Sequence, residues 1–169
     1  TSYYENSEVP QKIDQVLINV KCLMIIRNPI DRAISNYKFS RDNGLEKRTL
    51  RDVFLDKKPA FENAFKTSVN PFDYLGRSNY VMHIQPFIKT FGNRFRVLVL
   101  EELNHIEKRK EVFDFLEISE NTIDSFTVEN QTKELVLGVE VQNELKAFFK
   151  PGVEALSDVL SRDFNCWDI

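Results

Sequence analysis

The hydrophobic and polar positions of this chain switch between two periods, and the clearest switch lies between positions 21 and 37. An apolar run, Leu23-Met24-Ile25-Ile26, breaks at Arg27, turns at Pro29 and resumes with Ile30, Ala33, Ile34 and Tyr37 at helical spacing. The run is short and uniformly apolar, which predicts a strand in a parallel sheet covered on both faces. Pro29 disfavours a helical Asn28 and suits a first helical position. A strand over 21–27, a tight loop and a helix over 30–42 therefore follow one another, with Asn43-Gly44 as the stop. Arg27 falls at the carboxyl edge of the sheet, where open α/β sheets bind their ligands.

The flanking pattern continues this alternation. Pro10 opens a short helix whose buried stripe is Ile13, Val16 and Leu17. Thr49 with Asp52 three residues on reads as a cap for a helix over 50–56 that buries Val53 and Phe54, and 59–67 reads as another, with Phe61 and Phe65 on one face. Residues 75–90 predict a long helix, kinked or broken at Pro86 and ended by Gly92-Asn93. A second buried strand follows over 95–100, then a helix over 106–116 with Val112, Phe113, Phe115 and Leu116 toward the core. Residues 120–137 read as loop, and 139–149 as a helix that Lys150-Pro151-Gly152 breaks before a last helix over 153–160. Phe164 and Trp167 then pack back on the body. The fold class is α/β.

Composition narrows the chemistry. At 169 residues and 42% hydrophobic, with fourteen Phe, the chain can bury one core and form one domain over 1–169. Lys+Arg 23 against Asp+Glu 26 gives a net charge of −3, so no global basic field attracts nucleic acid and any anion site is local. No apolar segment approaches the ~20 residues that span a bilayer. Cys22 and Cys166 make no disulfide framework, Cys22 reading as a small core hydrophobe and a Cys22–Cys166 bridge as the minority alternative. The separated pairs His83/His105 and Cys22/Cys166 lack metal-ligand spacing, so no metal site is expected.

A local anion site suggests itself at Arg27 and Ser35. The guanidinium offers a planar fork of donors matched to phosphate, and a hydroxyl on the second turn of the next helix adds another. The alternative is an ordinary ion pair at a strand end with Ser35 facing solvent. Arg27-Asn28-Pro29-x-Asp31-Arg32-x-x-Ser35-x-Tyr37 resembles the 3′-phosphate-binding motif of the sulfotransferases that use 3′-phosphoadenosine 5′-phosphosulfate (PAPS). Gly76-Arg77-Ser78-x-Tyr80-x-x-His83, the strand from Arg96 to its acidic exit at Glu101-Glu102, and Leu160 through Phe164 to Trp167 are similar to later segments of that family, especially its glycosaminoglycan or heparan-sulfate branch.

The resemblance implies a P-loop-NTPase-like three-layer sandwich with a parallel sheet, incomplete at the N-terminus. It implies PAPS, or its product 3′-phosphoadenosine 5′-phosphate, as cofactor bound by Arg27 and Ser35, and an acceptor substrate, carbohydrate by preference. Arg32, Arg77, Tyr80 and His83 become cleft candidates. For Arg32 a surface salt bridge is the competing reading, and for His83 a packed, hydrogen-bonded histidine. Glu101 and Glu102 could help build an acceptor site; capping a helix or pairing with lysine is the plainer reading.

Two parts of the family pattern are missing. No G-x-x-x-x-G-K-[ST] loop occurs, and the glycines stand singly at 44, 76, 92, 138 and 152. Positions 134–141 lack the basic, glycine-containing loop that holds the nucleotide in the family, Lys133 being the nearest basic residue. The chain therefore looks like the C-terminal two-thirds of a sulfotransferase domain, with the phosphosulfate loop and catalytic base expected upstream of Thr1. Absence of the first strand would uncover the faces of its neighbours and favour a homo-oligomer. The competing function is a non-catalytic nucleotide- or protein-binding domain that keeps the scaffold. The compartment stays open, cytoplasmic for a bacterial enzyme and Golgi lumen for a eukaryotic glycan-modifying one.

Overall fold

The computed structural model describes residues 3–60, 70–119 and 135–169. Most of the helix expected over 59–67 and most of the loop expected over 120–137 lie outside them; residues 59 and 60 are not helical. The described elements are α1 (Val9–Val16), β1 (Cys22–Ile26), α2 (Pro29–Asp42), α3 (Leu50–Phe54), α4 (Tyr80–Phe91), β2 (Phe95–Val99), α5 (Ile106–Leu116) and α6 (Val139–Leu160). β1 and β2 pair in parallel, Cys22 opposite Phe95 through Ile26 opposite Val99. The fold is α/β around a parallel sheet.

The strand period of two sorts β1 into two faces. Cys22, Met24 and Ile26 turn toward α4, α6 and the C-terminal Phe164 and Trp167, forming the first core with Tyr80, Ile84, Phe87, Phe91 and Leu156. Leu23 and Ile25 take the other face. There α5 supplies a partial third layer: Arg96 lies 4.8 Å and Lys21 5.6 Å from the Phe115 ring, and Lys21 Nζ meets Glu117 at 2.8 Å. That cover is thin, and Leu23 and Ile25 remain 37% and 57% exposed. The strand read as buried on both faces is thus buried on one.

A second core joins α2 and α3 to α6 through Ile30, Ala33, Tyr37, Val53, Phe54, Tyr74, Val141, Leu145 and Phe149. Helix α6 serves both cores, its first half packing on the second and Leu156 on the first. It runs unbroken through Pro151, contrary to the break expected at Lys150-Pro151-Gly152. Pro151 gives up only the bond to the Ala147 carbonyl, and Ala147, Lys150 and Pro151 are all exposed, where water can replace it. Gly152 is there for proximity: a Cβ on it would stand 2.9 Å from Asn79 Oδ1. Gly152→Val is expected to destabilise the protein by about 1–3 kcal/mol through overpacking. A denaturant midpoint equal to wild type would mean that α6 does not press on Asn79.

Other boundaries moved for comparable reasons. The helix expected over 75–90 divides at Asn79: Gly76–Ser78 is a 3-10 turn, and α4 then runs through Pro86 without interruption. Here too the lost partner, the Met82 carbonyl, belongs to an exposed residue. In α1, Ile13 packs on the core, whereas Val16 and Leu17 are 78% and 49% exposed because no described element lies over them. Helix α5 has its expected bounds but no buried residue; Val112, Phe113, Phe115 and Leu116 are half-buried. The capping box of Thr49 and Asp52 forms at α3 as expected. Cys22 and Cys166 are both free.

Candidate functional site at the end of the first strand

The site begins where β1 stops. Past Ile26 the ladder has ended, so the next two backbone N–H groups need other acceptors. The Arg27 N–H reaches the Tyr80 hydroxyl at 3.4 Å, and the Asn28 N–H donates to Glu101 Oε1 at 2.8 Å. Asn28 then caps α2: its Oδ1 accepts from the N–H of Ile30 (2.9 Å) and of Asp31 (3.4 Å), and its Nδ2 donates to the Trp167 carbonyl at 2.9 Å. With Pro29 at the first helical position, the Arg27-Asn28-Pro29 triplet converts strand to helix in one residue.

This turn aims the Arg27 side chain along α2. Its Nη2 donates to the Asp31 carbonyl at 3.2 Å. In an α-helix that carbonyl is the acceptor for the N–H four residues on, which is Ser35, and positions 31 and 35 share a face. The guanidinium is therefore held beside the helical turn that ends at Ser35. Among the described residues Arg27 makes that one side-chain bond and nothing bonds the Ser35 hydroxyl. Most of the five guanidinium donors and the hydroxyl remain open for a ligand.

The local field is mixed. Burial, with Glu101 nearby, pushes the Asp31 carboxyl above the usual carboxylate range, while Arg27 pulls it back. An anion at Arg27 would raise it further, so Asp31 favours its protonated form when an anion is bound there. Tyr80, 6% exposed, has its hydroxyl pushed up to about 12 by burial, against the opposing pull of the Arg27 N–H and of Arg32 and Arg27. It stays protonated and structural at neutral pH.

The remaining cleft candidates form a separate polar knot. Arg32 bonds the Tyr4 hydroxyl and donates to Ser78 Oγ at 3.1 Å, so its partners are hydroxyls and not the carboxylate of a surface salt bridge. Arg77 donates from Nε to Glu5 Oε1 at 2.8 Å and from Nη1 to Asn36 Oδ1 at 3.0 Å, while the Tyr4 hydroxyl donates to its carbonyl at 3.1 Å. His83 Nε2 lies 3.0 Å from the Gly76 carbonyl, which makes that nitrogen the protonated one, and its ring meets Tyr4 edge-on at 5.0 Å. These side chains tie the N-terminal turn to α2 and α4. His105 is exposed at the start of α5.

Sequence reasoning misjudged the acidic strand exit. Among the described residues Glu101 holds the Asn28 N–H and Glu102 pairs with Arg162, and neither pairs with lysine or caps a helix of its own. Among the described residues two grooves lie elsewhere. One, of about 430 Å³, runs between Ser7, Glu8 and Gln11 on one side and Met82, Gln85 and Lys89 on the other; a second, of about 470 Å³, runs between Lys38, Arg41 and Arg51. Neither includes Arg27 or Ser35. Among the described residues no cluster of His, Cys, Asp or Glu could hold a metal ion, and no helix is long and apolar enough to cross a membrane.

A strand that ends in arginine, a capped turn and a hydroxyl-bearing helix can be set beside known proteins. The family model for the sulfotransferase domain matches residues 10–149. The chain belongs to the sulfotransferase family. In shape, this sulfotransferase chain resembles a crystal structure of a sulfotransferase from Alicyclobacillus acidocaldarius, with a TM-score of 0.74 at 22% identity. The match covers 99% of this chain and 65% of that one, so the chain spans a little under two thirds of that protein. At this identity the likeness speaks for the fold. No curated protein matches the chain. Arg27, Arg32 and Ser35, on the strand–turn–helix unit, and Arg77, Tyr80 and His83, on the turn before α4 and on α4, all lie inside the matched span.

Proposed function

We propose that this chain forms a single sulfotransferase domain, or the larger part of one, in which Arg27 and Ser35 bind the 3′-phosphate of the sulfuryl donor PAPS. The observation that carries this reading is the open guanidinium of Arg27, directed along α2 to the turn of Ser35. A planar fork of donors with an adjacent hydroxyl suits a phosphate monoester, and the donor set fits the group. When bound, PAPS supplies an activated sulfuryl group, and an acceptor hydroxyl or amine takes it.

What these residues do toward that reaction is binding and orientation. Arg27 and Ser35 fix the nucleotide by an end that does not react, so that binding energy from a remote group positions the reacting one. No base is assigned here: His83 is committed to the Gly76 carbonyl and His105 stands exposed on another helix. As acceptor we favour a carbohydrate, on the likeness of the Gly76–His83 and Leu160–Trp167 segments to the glycosaminoglycan branch.

The test compares two nucleotides by calorimetry. Adenosine 3′,5′-bisphosphate is expected to bind roughly 10- to 100-fold tighter than adenosine 5′-monophosphate, as one or two charge-assisted hydrogen bonds imply. Equal affinities would remove the 3′-phosphate from the site. Tight bisphosphate binding without sulfuryl transfer to any acceptor would favour a nucleotide-binding domain that keeps the scaffold.

A further inference from the structure

We propose that Glu101 is a positioning residue for the Arg27 site: its carboxylate anchors the peptide joining Arg27 to Asn28, and thereby fixes where the guanidinium points. This rests on the reading of Arg27 as the 3′-phosphate ligand. β2 ends at Val99, opposite Ile26, and the 3-10 turn Leu100–Glu102 carries Glu101 past the end of β1. From there its Oε1 accepts the Asn28 N–H at 2.8 Å, a bond between residues 73 apart in sequence.

That bond completes the restraint on one residue. The Asn28 side chain is already tied to the first turn of α2 and to the Trp167 carbonyl, and the preceding N–H of Arg27 to Tyr80. Without Glu101 the peptide between Arg27 and Asn28 is free to rotate its N–H toward water, and the arginine side chain follows the change in backbone direction. A carboxylate acceptor makes a stronger anchor than a neutral one.

The charge of Glu101 works against the same site. It lies close enough to raise the Asp31 carboxyl, and it disfavours any anion brought to Arg27. Two opposite contributions are thus carried by one side chain, a hydrogen bond that aids binding and a charge that opposes it. Glutamine separates them, because its Oε1 can accept the same bond without the charge.

The experiment uses the protein that carries this chain, with three variants: Glu101→Ala, Glu101→Gln and Arg27→Ala. Affinity for adenosine 3′,5′-bisphosphate is measured by calorimetry, amide exchange at Asn28 by NMR, and Tm by thermal melting. Glu101→Ala is expected to weaken binding about tenfold, accelerate exchange at Asn28 and leave Tm within about 2 °C, since the bond is exposed. Glu101→Gln is expected to keep Asn28 protected and bind at least as tightly as wild type. Equal affinities in Glu101→Ala and Glu101→Gln, which differ in the bond and not in the charge, or unchanged exchange at Asn28 in Glu101→Ala, overturns the positioning role. If Arg27→Ala leaves the affinity unchanged, it is the 3′-phosphate reading that fails, and Asn28 exchange still decides the anchor. Should the alanine variant not fold, Glu101→Asp, whose shorter reach breaks the bond and keeps the charge, takes its place with the same expectations.

Discussion

Glu46→Ala is expected to lower the folding free energy by about 3–5 kcal/mol, the usual consequence of removing one partner from a buried ion pair. Glu46 is 4% exposed, and its carboxylate is saturated. Oε1 accepts from the backbone N–H of Arg48 at 2.9 Å and from its Nε at 3.0 Å, while Oε2 pairs with Arg48 Nη2 and accepts from the Tyr74 hydroxyl at 2.9 Å. Alanine would leave the Arg48 guanidinium without its countercharge and free a buried phenol at the centre of the second core, where Tyr74 packs on Tyr37, Phe54 and Phe72. Urea unfolding followed by fluorescence reads the loss. An unchanged midpoint would mean that this loop does not clamp α2 to the core.

The same carboxylate makes stability depend on pH with a definite sign. Burial pushes the Glu46 carboxyl up, but hydrogen bonds from Arg48 and Tyr74 outweigh it and hold it below the ordinary value of 4.5. A depressed carboxyl stabilises the fold at pH values above its unfolded value, and that contribution fades as pH falls through the lower folded one. Glu46→Gln should flatten the acid limb of the stability curve.

Arg27→Ala carries the second large effect. It is expected to weaken adenosine 3′,5′-bisphosphate binding about 100-fold, or about 3 kcal/mol, because a bidentate charge-assisted contact is lost and Ser35 alone cannot replace it. Stability should hardly change, since the guanidinium makes a single hydrogen bond to the Asp31 carbonyl. Lysine keeps the charge but not the fork, so Arg27→Lys should recover only part of the loss. The pH arm adds a sign: below the second ionisation of the phosphate at about pH 6, where the ligand's own charge no longer changes, affinity in the wild type should rise as pH falls through the range in which Asp31 titrates. A hundredfold loss in Arg27→Ala with an unaltered Tm assigns the residue to the ligand, and full affinity takes it out of the site.

The strand–turn–helix unit at Arg27 was legible because each step is local. Four apolar residues make the strand, Asn28 and Pro29 make the cap and first helical position, and Gly44 at φ +70° closes the stop. The bounds of α5 and the capping box at α3 were legible for the same reason. Glu46 gave no signal at all: a charged residue just past a helix reads as solvated surface, and only the fold brings Tyr74 over it. Arg32 was left between a cleft residue and a surface salt bridge because its hydroxyl partners, Tyr4 and Ser78, lie 28 and 46 residues away.

Lys150-Pro151-Gly152 and Asn79 mark the same division. By composition the first should end a helix and the second should not. The structure reverses both, because the carbonyl that Pro151 abandons is on an exposed face open to water and the flank of α6 at Gly152 must approach Asn79 closely. What the amino-acid order determined by itself was the set of short-range features, namely the apolar runs, the caps and the placement of an arginine at a strand end. Tertiary contact decided which helix continues, which face of β1 is covered and how Glu101 reaches Asn28. Those outcomes depend on partners tens of residues distant, and no window of neighbouring residues contains them.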